Sequence, residues 1–153
     1  MFQACIKKLL LVFIFSISSV LIAEDYQAGK HYQILSEPIA TRDSKKIEVI
    51  EFFWFGCGHC FSLENQLNSW EEELSDDIDF WRSPITWNEM AKTHAKLFYA
   101  AEFFKKPAII RDTFLSIHAN QRMMTSDREL KPFFASFGIA EDQYRSLFNS
   151  FAM

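Results

Sequence analysis

The hydrophobic pattern in the first half of the chain predicts strands. Residues 47–55 are almost continuously apolar or β-forming and are interrupted by Glu48 and Glu51. A run of this kind is typical of a strand that is buried on both faces. A shorter run at residues 31–35 predicts another strand upstream.

After Gly56 the apolar positions change to the spacing of three and four residues that marks one helix face. The residues on this face are Cys60, Leu63, Leu67, Trp70 and Leu74. The acidic run at residues 71–73 is expected on the solvated side of the helix. Residues 78–82 predict a second short strand, which Pro84 ends. Residues 47–82 are therefore predicted to form a β-α-β unit.

The remainder of the chain has helical periodicity. Residues 93–104 predict one helix, and Pro107 opens the next at its first turn. A capping box at residues 126–129 begins a third helix, which Gly138 ends, and residues 141–151 predict a fourth. Aromatic side chains recur on these helices, which favours a packed core over a peptide-binding groove. Because the last residues still follow the helical pattern, we expect the chain to stop within a helix.

The first residues have the features of a secretory leader. Lys7 and Lys8 precede an apolar segment at residues 9–22 that is short for a membrane span. This arrangement predicts a cleavable signal peptide over residues 1–23, with an uncleaved N-terminal anchor as the alternative. In either case we expect the rest of the chain to be exported.

Composition and charge narrow the classes of function. Of the 153 residues, 49% are hydrophobic and 16% are aromatic, which is enough for a core and argues against disorder. The formal net charge is −4 and the sequence has no basic patch. We therefore expect no binding to nucleic acid.

Two of the three cysteines lie where the predicted strand becomes a helix. Cys5 is in the leader, whereas Cys57 and Cys60 are separated by Gly58 and His59. This spacing at a helix start places both sulfur atoms on one side, close enough to bridge. A bridge across so short a loop hardly constrains the unfolded chain, which argues against a purely structural disulfide.

The position of each cysteine predicts a different role. Cys57 falls at the N-cap, where free N–H groups and the helix dipole stabilise a thiolate. Cys60 falls on the apolar face, where burial opposes ionisation. Cys57 is therefore predicted to be the nucleophile, and Cys60 to resolve the mixed disulfide. As an imidazolium, His59 would stabilise the thiolate further; the alternative is an ordinary exposed histidine.

Glu51 is the other candidate for a chemical role. In a buried strand and without a partner, its carboxyl would have a raised pKa and would be able to shuttle a proton near Cys60. The alternative is that Glu51 faces solvent at a sheet edge. A zinc site needs four ligands, and one pair of cysteines supplies two. The remaining histidines, His31, His94 and His118, show no paired spacing, so we expect no metal and no other cofactor.

The cysteine motif carries a resemblance to a known family. The stretch EFFWFGCGHC at residues 51–60 resembles the active-site strand and helix of DsbA-like thiol:disulfide oxidoreductases. Residues 29–32 and 37–38 resemble the N-terminal strand of that family, and the helices after Asn88 resemble its inserted helical domain. Residues 137–151 resemble the end of that insertion.

The resemblance implies an α/β, thioredoxin-like fold with an inserted helical domain. Residues 24–87 would form the N-terminal part of the thioredoxin-like domain, and residues 88–153 the inserted domain. It also implies a periplasmic, monomeric enzyme that oxidises reduced, unfolded exported proteins and is reoxidised by a quinone-linked membrane partner of the DsbB type. Matched residue by residue, the site is Cys57 as nucleophile, Cys60 as resolving thiol, His59 of the dipeptide and Glu51 as buried acid.

Two departures from the family pattern qualify these expectations. The dipeptide is Gly58-His59 where the family usually has Pro-His, so the redox poise is expected to be milder. The family also continues with a cis-proline loop, two strands and a helix, which leads us to expect a truncated product or an incomplete sequence. The alternatives to an oxidase are a disulfide isomerase or reductase and a non-catalytic peptide-binding remnant.

Overall fold

The computed structural model describes residues 25–150 of the chain. The chain divides into two compact units, Met1–Ile39 and Ala40–Met153. The predicted signal peptide over residues 1–23 and the predicted helical end at Phe151 lie outside the described residues.

The described part of the first unit is a turn and not the predicted strand. Ala28 and Tyr32 form a single bridge around Gly29, whose φ is +82°. The prediction of a strand over residues 31–35 is wrong. The side chains of this segment are exposed, and no neighbouring strand among residues 25–150 pairs with it, so nothing holds it extended.

The second unit is an α/β structure. Its elements are β1 Ile47–Phe53, α1 Gly58–Glu72, β2 Ile78–Pro84, α2 Glu89–Phe103, α3 Ala108–His118, α4 Asp127–Ser136 and α5 Glu141–Phe148. β1 and β2 pair in parallel, with Ile47 opposite Ile78 and Phe53 opposite Pro84. Helix α1 is the crossover between them, as parallel strands require. The predicted β-α-β unit is confirmed.

Strand β1 is shorter and less buried than predicted. It ends at Phe53 because the next residues turn, with the Cys57 N–H donating to the Trp54 carbonyl at 2.9 Å. Phe53 is the only buried residue of the strand, whereas Ile47 and Phe52 are 61% and 66% exposed. The prediction of burial on both faces is therefore wrong. Among the described residues, β2 is the only strand beside β1.

Helix α1 buries the predicted face only in part: Cys60, Leu67 and Leu74 are half-buried. Leu63 and Trp70 are exposed, and the only buried residue of the helix is Glu64. Glu64 faces Arg82 of β2, with which it forms an ion pair. The inward side of α1 therefore includes a charge pair with β2. The acidic run at residues 71–73 is exposed, as predicted.

The helices supply most of the hydrophobic core. Its buried members include Leu97, Phe98, Ile109, Phe114, Met124, Leu130, Phe134, Ile139, Tyr144 and Leu147. Phe53 and Phe55 join this cluster from the end of β1 and the turn after it. The aromatic stripes on the helices are therefore core, as predicted. None of the described helices is long and apolar enough to cross a membrane.

The helix ends follow the signals in the sequence. The Asn88 side chain accepts the Ala91 N–H at 2.8 Å and begins α2. The predicted capping box at residues 126–129 begins α4, and Gly138, with a φ of +72°, follows its end. Helix α5 ends at Phe148, with Asn149 as its C-cap.

Candidate active site

A tight turn carries the chain from β1 to the cysteines. The hydrogen bond from the Cys57 N–H to the Trp54 carbonyl closes it at 2.9 Å. The indole ring of Trp54 lies so close to Gly56 that a Cβ atom there would overlap it. Glycine at this position therefore allows the Trp54 side chain to cover the turn.

Cys57 is the N-cap of helix α1, as predicted. Its backbone is extended, with φ −87° and ψ 117°, and its carbonyl accepts the Phe61 N–H at 3.1 Å. Hydrogen bonds from the Cys60 backbone N–H and the Cys60 thiol lower the pKa of Cys57, and the His59 backbone N–H adds to this. Partial burial and the charge of Glu51 oppose the shift. The net result favours the thiolate at Cys57.

Cys60 has the opposite electrostatic environment. It lies in the first turn of α1 and packs partly buried against the core. Burial is the main cause that raises the pKa of its thiol, and the Cys57 sulfur and the Glu51 carboxylate raise it further. Hydrogen bonding from the Trp54 backbone opposes these effects. Both cysteines are free thiols, and Cys57 ionises more readily than Cys60.

His59 lies between the two cysteines with an exposed side chain. Its backbone N–H is one of the groups that lower the pKa of Cys57. The predicted contribution of its imidazole ring stays a prediction.

The Glu51 side chain is largely shielded from solvent, but it has a partner that the sequence did not predict. Its Oε2 lies 2.5 Å from Nε of Arg82, and the same guanidinium binds Glu64. The side chains of all three residues are 11% exposed. The alternative of a solvent-facing Glu51 is therefore wrong, and so is the expectation of a carboxylate without a partner.

The pKa of Glu51 is nevertheless raised. Burial is the largest cause, and the negative charge of Glu64 adds to it, while the Arg82 guanidinium opposes both. The Glu51 charge acts on both Cys57 and Cys60. We call Glu51, Glu64 and Arg82 the charge cluster. A cavity of about 700 Å³ opens beside Glu64 and Arg82, so the charge cluster has a route to solvent.

The described residues contain no cluster of three or more histidine, cysteine or acidic side chains placed to hold a metal ion. The chemistry that the arrangement supports is that of the two thiols. The Cys57 thiol is the more acidic of the two, the Cys60 thiol packs against the core, and the Glu51 charge acts on both.

Comparison with known proteins places this geometry in a family. The chain is 33% identical over 132 residues to the thiol:disulfide interchange protein DsbA of Pseudomonas aeruginosa, a match that covers 86% of this chain and 63% of that protein. The DsbA of Azotobacter vinelandii is 30% identical over 128 residues. The crystal structure of P. aeruginosa DsbA superimposes with a TM-score of 0.72 and 34% identity, covering 85% of this chain and 68% of that one. The chain belongs to the DsbA family.

The membership confirms the predicted family and the predicted α/β, thioredoxin-like fold class. No model in a collection of protein families matches the chain. This DsbA-family chain spans 63% of the length of its P. aeruginosa relative and 60% of the A. vinelandii one.

Sequence reasoning found some residues of this DsbA-family site and missed others. Cys57, Cys60, His59 and Glu51 were singled out, and the structure brings the first two together with Glu51 within electrostatic reach. Arg82 and Glu64 were missed as neighbours of Glu51. The register of β1 and β2 places Arg82 opposite Glu51. A lone arginine in a predicted strand was the available signal, because a charge there needs a partner.

Proposed function

We propose that this DsbA-family chain exchanges disulfides with the thiols of exported proteins through Cys57 and Cys60. The observation that carries the proposal is the contrast between the two thiols within one helical turn. Hydrogen bonds at the N-cap lower the pKa of Cys57, whereas burial raises the pKa of Cys60. A stable thiolate at Cys57 stabilises the reduced pair and makes the oxidised pair a better oxidant.

In the oxidising direction, a thiolate of the substrate attacks Cys57 Sγ in the Cys57–Cys60 disulfide. A bond forms between the substrate sulfur and Cys57, and Cys60 leaves as a thiolate that takes up a proton. A second substrate thiolate then attacks the substrate sulfur of the mixed disulfide and releases the Cys57 thiolate. Two electrons pass from the substrate dithiol to the cysteine pair, and the substrate gains one disulfide.

Glu51 is proposed to handle the proton of Cys60. Burial favours the protonated carboxyl, as the raised pKa of Glu51 indicates. A protonated Glu51 is able to give its proton to the departing Cys60 thiolate and to regain it through the cavity beside Arg82. His59, exposed at the helix start, is proposed to stabilise the Cys57 thiolate when its ring is protonated.

The proposal extends to location, partners and domains. The relatives carry the name thiol:disulfide interchange protein, which supports reduced, unfolded exported proteins as substrates and the periplasm as location. Reoxidation would need a disulfide oxidant, for which we propose a quinone-linked membrane protein of the DsbB type. We propose a monomer, with residues 24–87 in the thioredoxin-like domain and residues 88–153 in the inserted helical domain.

The alkylation rate of Cys57 against pH, in the reduced chain, tests the chemistry. We expect a midpoint clearly below the value of about 8.5 for a free cysteine. A midpoint at the free value would contradict the proposal, because no thiolate would be stabilised. A Cys60→Ala variant is the control that isolates the Cys57 signal, and its midpoint should rise because the hydrogen bond from the Cys60 thiol is lost.

Oxidation of a reduced client protein tests the function. The Cys57→Ser variant should form no client disulfides. Each molecule of the unmodified, oxidised chain should form one client disulfide, because it carries one Cys57–Cys60 disulfide. If the variant still protects unfolded clients from aggregation as well as the unmodified chain, peptide binding is the activity. A Glu51→Gln variant with unchanged exchange rates across pH would remove Glu51 from the mechanism.

A further inference from the structure

The active-site turn contains a buried carbonyl group that the turn itself does not use. The hydrogen bond that closes the turn from residue 54 to residue 57 ends on the Trp54 carbonyl. Phe55 lies inside the turn with 0% exposure. A buried carbonyl oxygen at this position therefore needs a donor from elsewhere in the molecule.

His118, the last residue of α3, supplies that donor. Its Nε2 lies 2.8 Å from the Phe55 carbonyl oxygen. Because a carbonyl oxygen only accepts hydrogen bonds, Nε2 must carry the hydrogen, in the neutral ring as in the charged one. The bond joins the end of a core helix to a turn that lies 63 residues earlier in the chain.

The ring of His118 also packs against the helix that carries the cysteines. It lies nearly parallel to the Phe61 ring, with centroids 4.7 Å apart and an angle of 8°. The Phe61 N–H in turn donates to the Cys57 carbonyl at 3.1 Å. His118 therefore contacts one residue two positions before Cys57 and another four positions after it. Phe114 of its own helix holds the ring by a second stack, at 6.2 Å.

We infer that His118 is a positioning residue for thiol exchange: by binding the Phe55 carbonyl and stacking on Phe61, it holds Cys57 at the N-cap of α1. The inference rests on the proposed function, since it concerns the thiol that carries the exchange. His118 acts through the turn and not on the sulfur atom. Without its N–H, the Phe55 carbonyl is buried and unpaired, and the turn is free to rearrange. Cys57 then loses its alignment with the N–H groups that stabilise its thiolate.

Two substitutions separate the contacts of His118. His118→Gln keeps an amide N–H close to the position of Nε2 and removes the ring. His118→Phe keeps a ring that stacks on Phe61 and removes the donor. The readout is the pH midpoint of Cys57 alkylation in the reduced full-length chain, with the modified residue identified by peptide mapping.

We expect the Phe variant to raise the Cys57 midpoint by about 0.5 unit or more, roughly a threefold change in the thiolate-to-thiol ratio. The Gln variant should stay close to the unmodified chain. Ile110→Ala on the same helix is the matched control, because Ile110 packs against the core eight residues before His118. It should lower the urea midpoint of unfolding and leave the Cys57 midpoint unchanged.

The outcomes distinguish the inference from the proposed function. If the unmodified chain has a low Cys57 midpoint and the Phe variant keeps it, His118 is a core residue only, and the inference is overturned. A Gln variant that shifts as far as the Phe variant overturns the role of the hydrogen bond. A midpoint near the free-cysteine value in the unmodified chain overturns the proposed function and the inference together.

A measurement on the unmodified chain covers the case in which the Phe variant does not fold. A hydrogen on Nε2 of His118 that is bonded to a buried carbonyl should give an NMR signal that exchanges slowly with water at neutral pH. The Gln variant should lack this signal and identify it. Rapid exchange in the unmodified chain would contradict the inference.

Discussion

The two parts of the second unit bury their side chains very differently. We call residues 40–87 the redox part and residues 88–150 the helical part. Of the seventeen hydrophobic residues that are buried in the described chain, only Phe53 and Phe55 belong to the redox part. Both cysteines of the site also belong to it. The chemistry thus lies in the part that has almost no apolar core of its own.

The contrast shows how an accessible thiol is held in a defined place. Phe53 packs edge-on against Phe98 at 5.3 Å, and Phe55 packs against Phe114 at 4.7 Å. These two side chains connect the end of β1 and the active-site turn to the core of the helical part. The redox part can therefore leave Cys57 partly exposed while the helices supply the rigidity.

Removal of the Phe55 side chain, which joins the redox part to the helical core, should cause the largest loss of stability. Phe55→Ala leaves a cavity in the joint core, and we expect a loss of about 3–5 kcal/mol in the free energy of unfolding. Urea denaturation monitors this loss. Phe52→Ala is the matched control, because Phe52 lies three positions earlier and is 66% exposed. Equal losses in the two variants would mean that the helical core does not anchor the turn.

The charge cluster inside the redox part gives the next largest effect. Arg82→Gln leaves the carboxylates of Glu51 and Glu64 without their cation, and we expect a loss of about 3 kcal/mol at pH 7. The folded pKa of Glu51 is already raised, so the folded state takes up a proton more readily than the unfolded one. The loss should therefore shrink as the pH falls towards 5 and below.

The control for the charge cluster is an exposed arginine of the same part. Arg42 pairs with Asp79 at 3.8 Å, and its side chain is 58% exposed. Arg42→Gln should change stability by less than about 1 kcal/mol. If Arg82→Gln costs no more than Arg42→Gln, the cluster is solvated and does not organise the redox part.

A buried histidine should make the helical part sensitive to acid. His94 is 1% exposed, its Nε2 contacts the Met123 carbonyl at 2.9 Å, and its Nδ1 has no hydrogen-bond partner within residues 25–150. Burial lowers its pKa, although the Met123 carbonyl and Glu129 oppose this. Below about pH 6.5, His94 binds a proton more readily in the unfolded chain than in the folded chain. The contribution of neutral His94 to the free energy of unfolding is therefore complete above about pH 6.5. It falls below that pH, by at most about 1.4 kcal/mol per pH unit.

His94→Gln tests this pH dependence, because it keeps a donor for Met123 and does not titrate. Urea midpoints between pH 7.5 and 5 should fall less steeply in the variant than in the unmodified chain. His31→Gln, at an exposed histidine of the first unit, should leave the slope as it is. Identical slopes in all three proteins would assign the acid sensitivity to other groups.

The capping box of α4 should give the smallest effect. Partial burial disfavours the Glu129 carboxylate, but the Ser126 hydroxyl and neighbouring backbone N–H groups outweigh this and lower its pKa to about 2. Glu129→Ala should cost about 1 kcal/mol at pH 7. The charged Glu129 should give a higher free energy of unfolding than Gln at this position. This difference is complete above about pH 4.5 and is lost as the pH falls towards 2. Urea unfolding of the Glu129→Gln variant and of the unmodified chain at pH 6 and pH 3 measures this advantage. A difference in stability that is the same at both pH values would contradict the prediction.

Local patterns predicted the order of the elements and the place of the thiols. Helical spacing after Gly56 identified α1, and two strand-like runs around it identified the parallel unit. The position of Cys57 at the N-cap followed from the start of the helical pattern, since capping depends on a few neighbouring residues. The same reason explains why the capping box at residues 126–129 was found.

Burial was predicted less well because it depends on what covers each face. The run from residue 47 to residue 55 looked buried on both sides, yet Ile47 and Phe52 are exposed. The leucines and tryptophan of α1 suggested an apolar inner face, yet Glu64 faces inwards. An apolar side chain shows that burial is favourable, and only the packed neighbours decide whether it occurs.

By itself, the sequence determined the β-α-β unit, the helices and the reactive pair of thiols, because each is encoded within a few turns of chain. Only the tertiary structure decided which distant side chains contact Glu51 and the turn before that pair. The register between β1 and β2 brings Arg82 to Glu51, and the packing of α3 brings His118 to Phe55. These contacts join residues that are 31 and 63 positions apart, and no local periodicity specifies which distant side chains will meet.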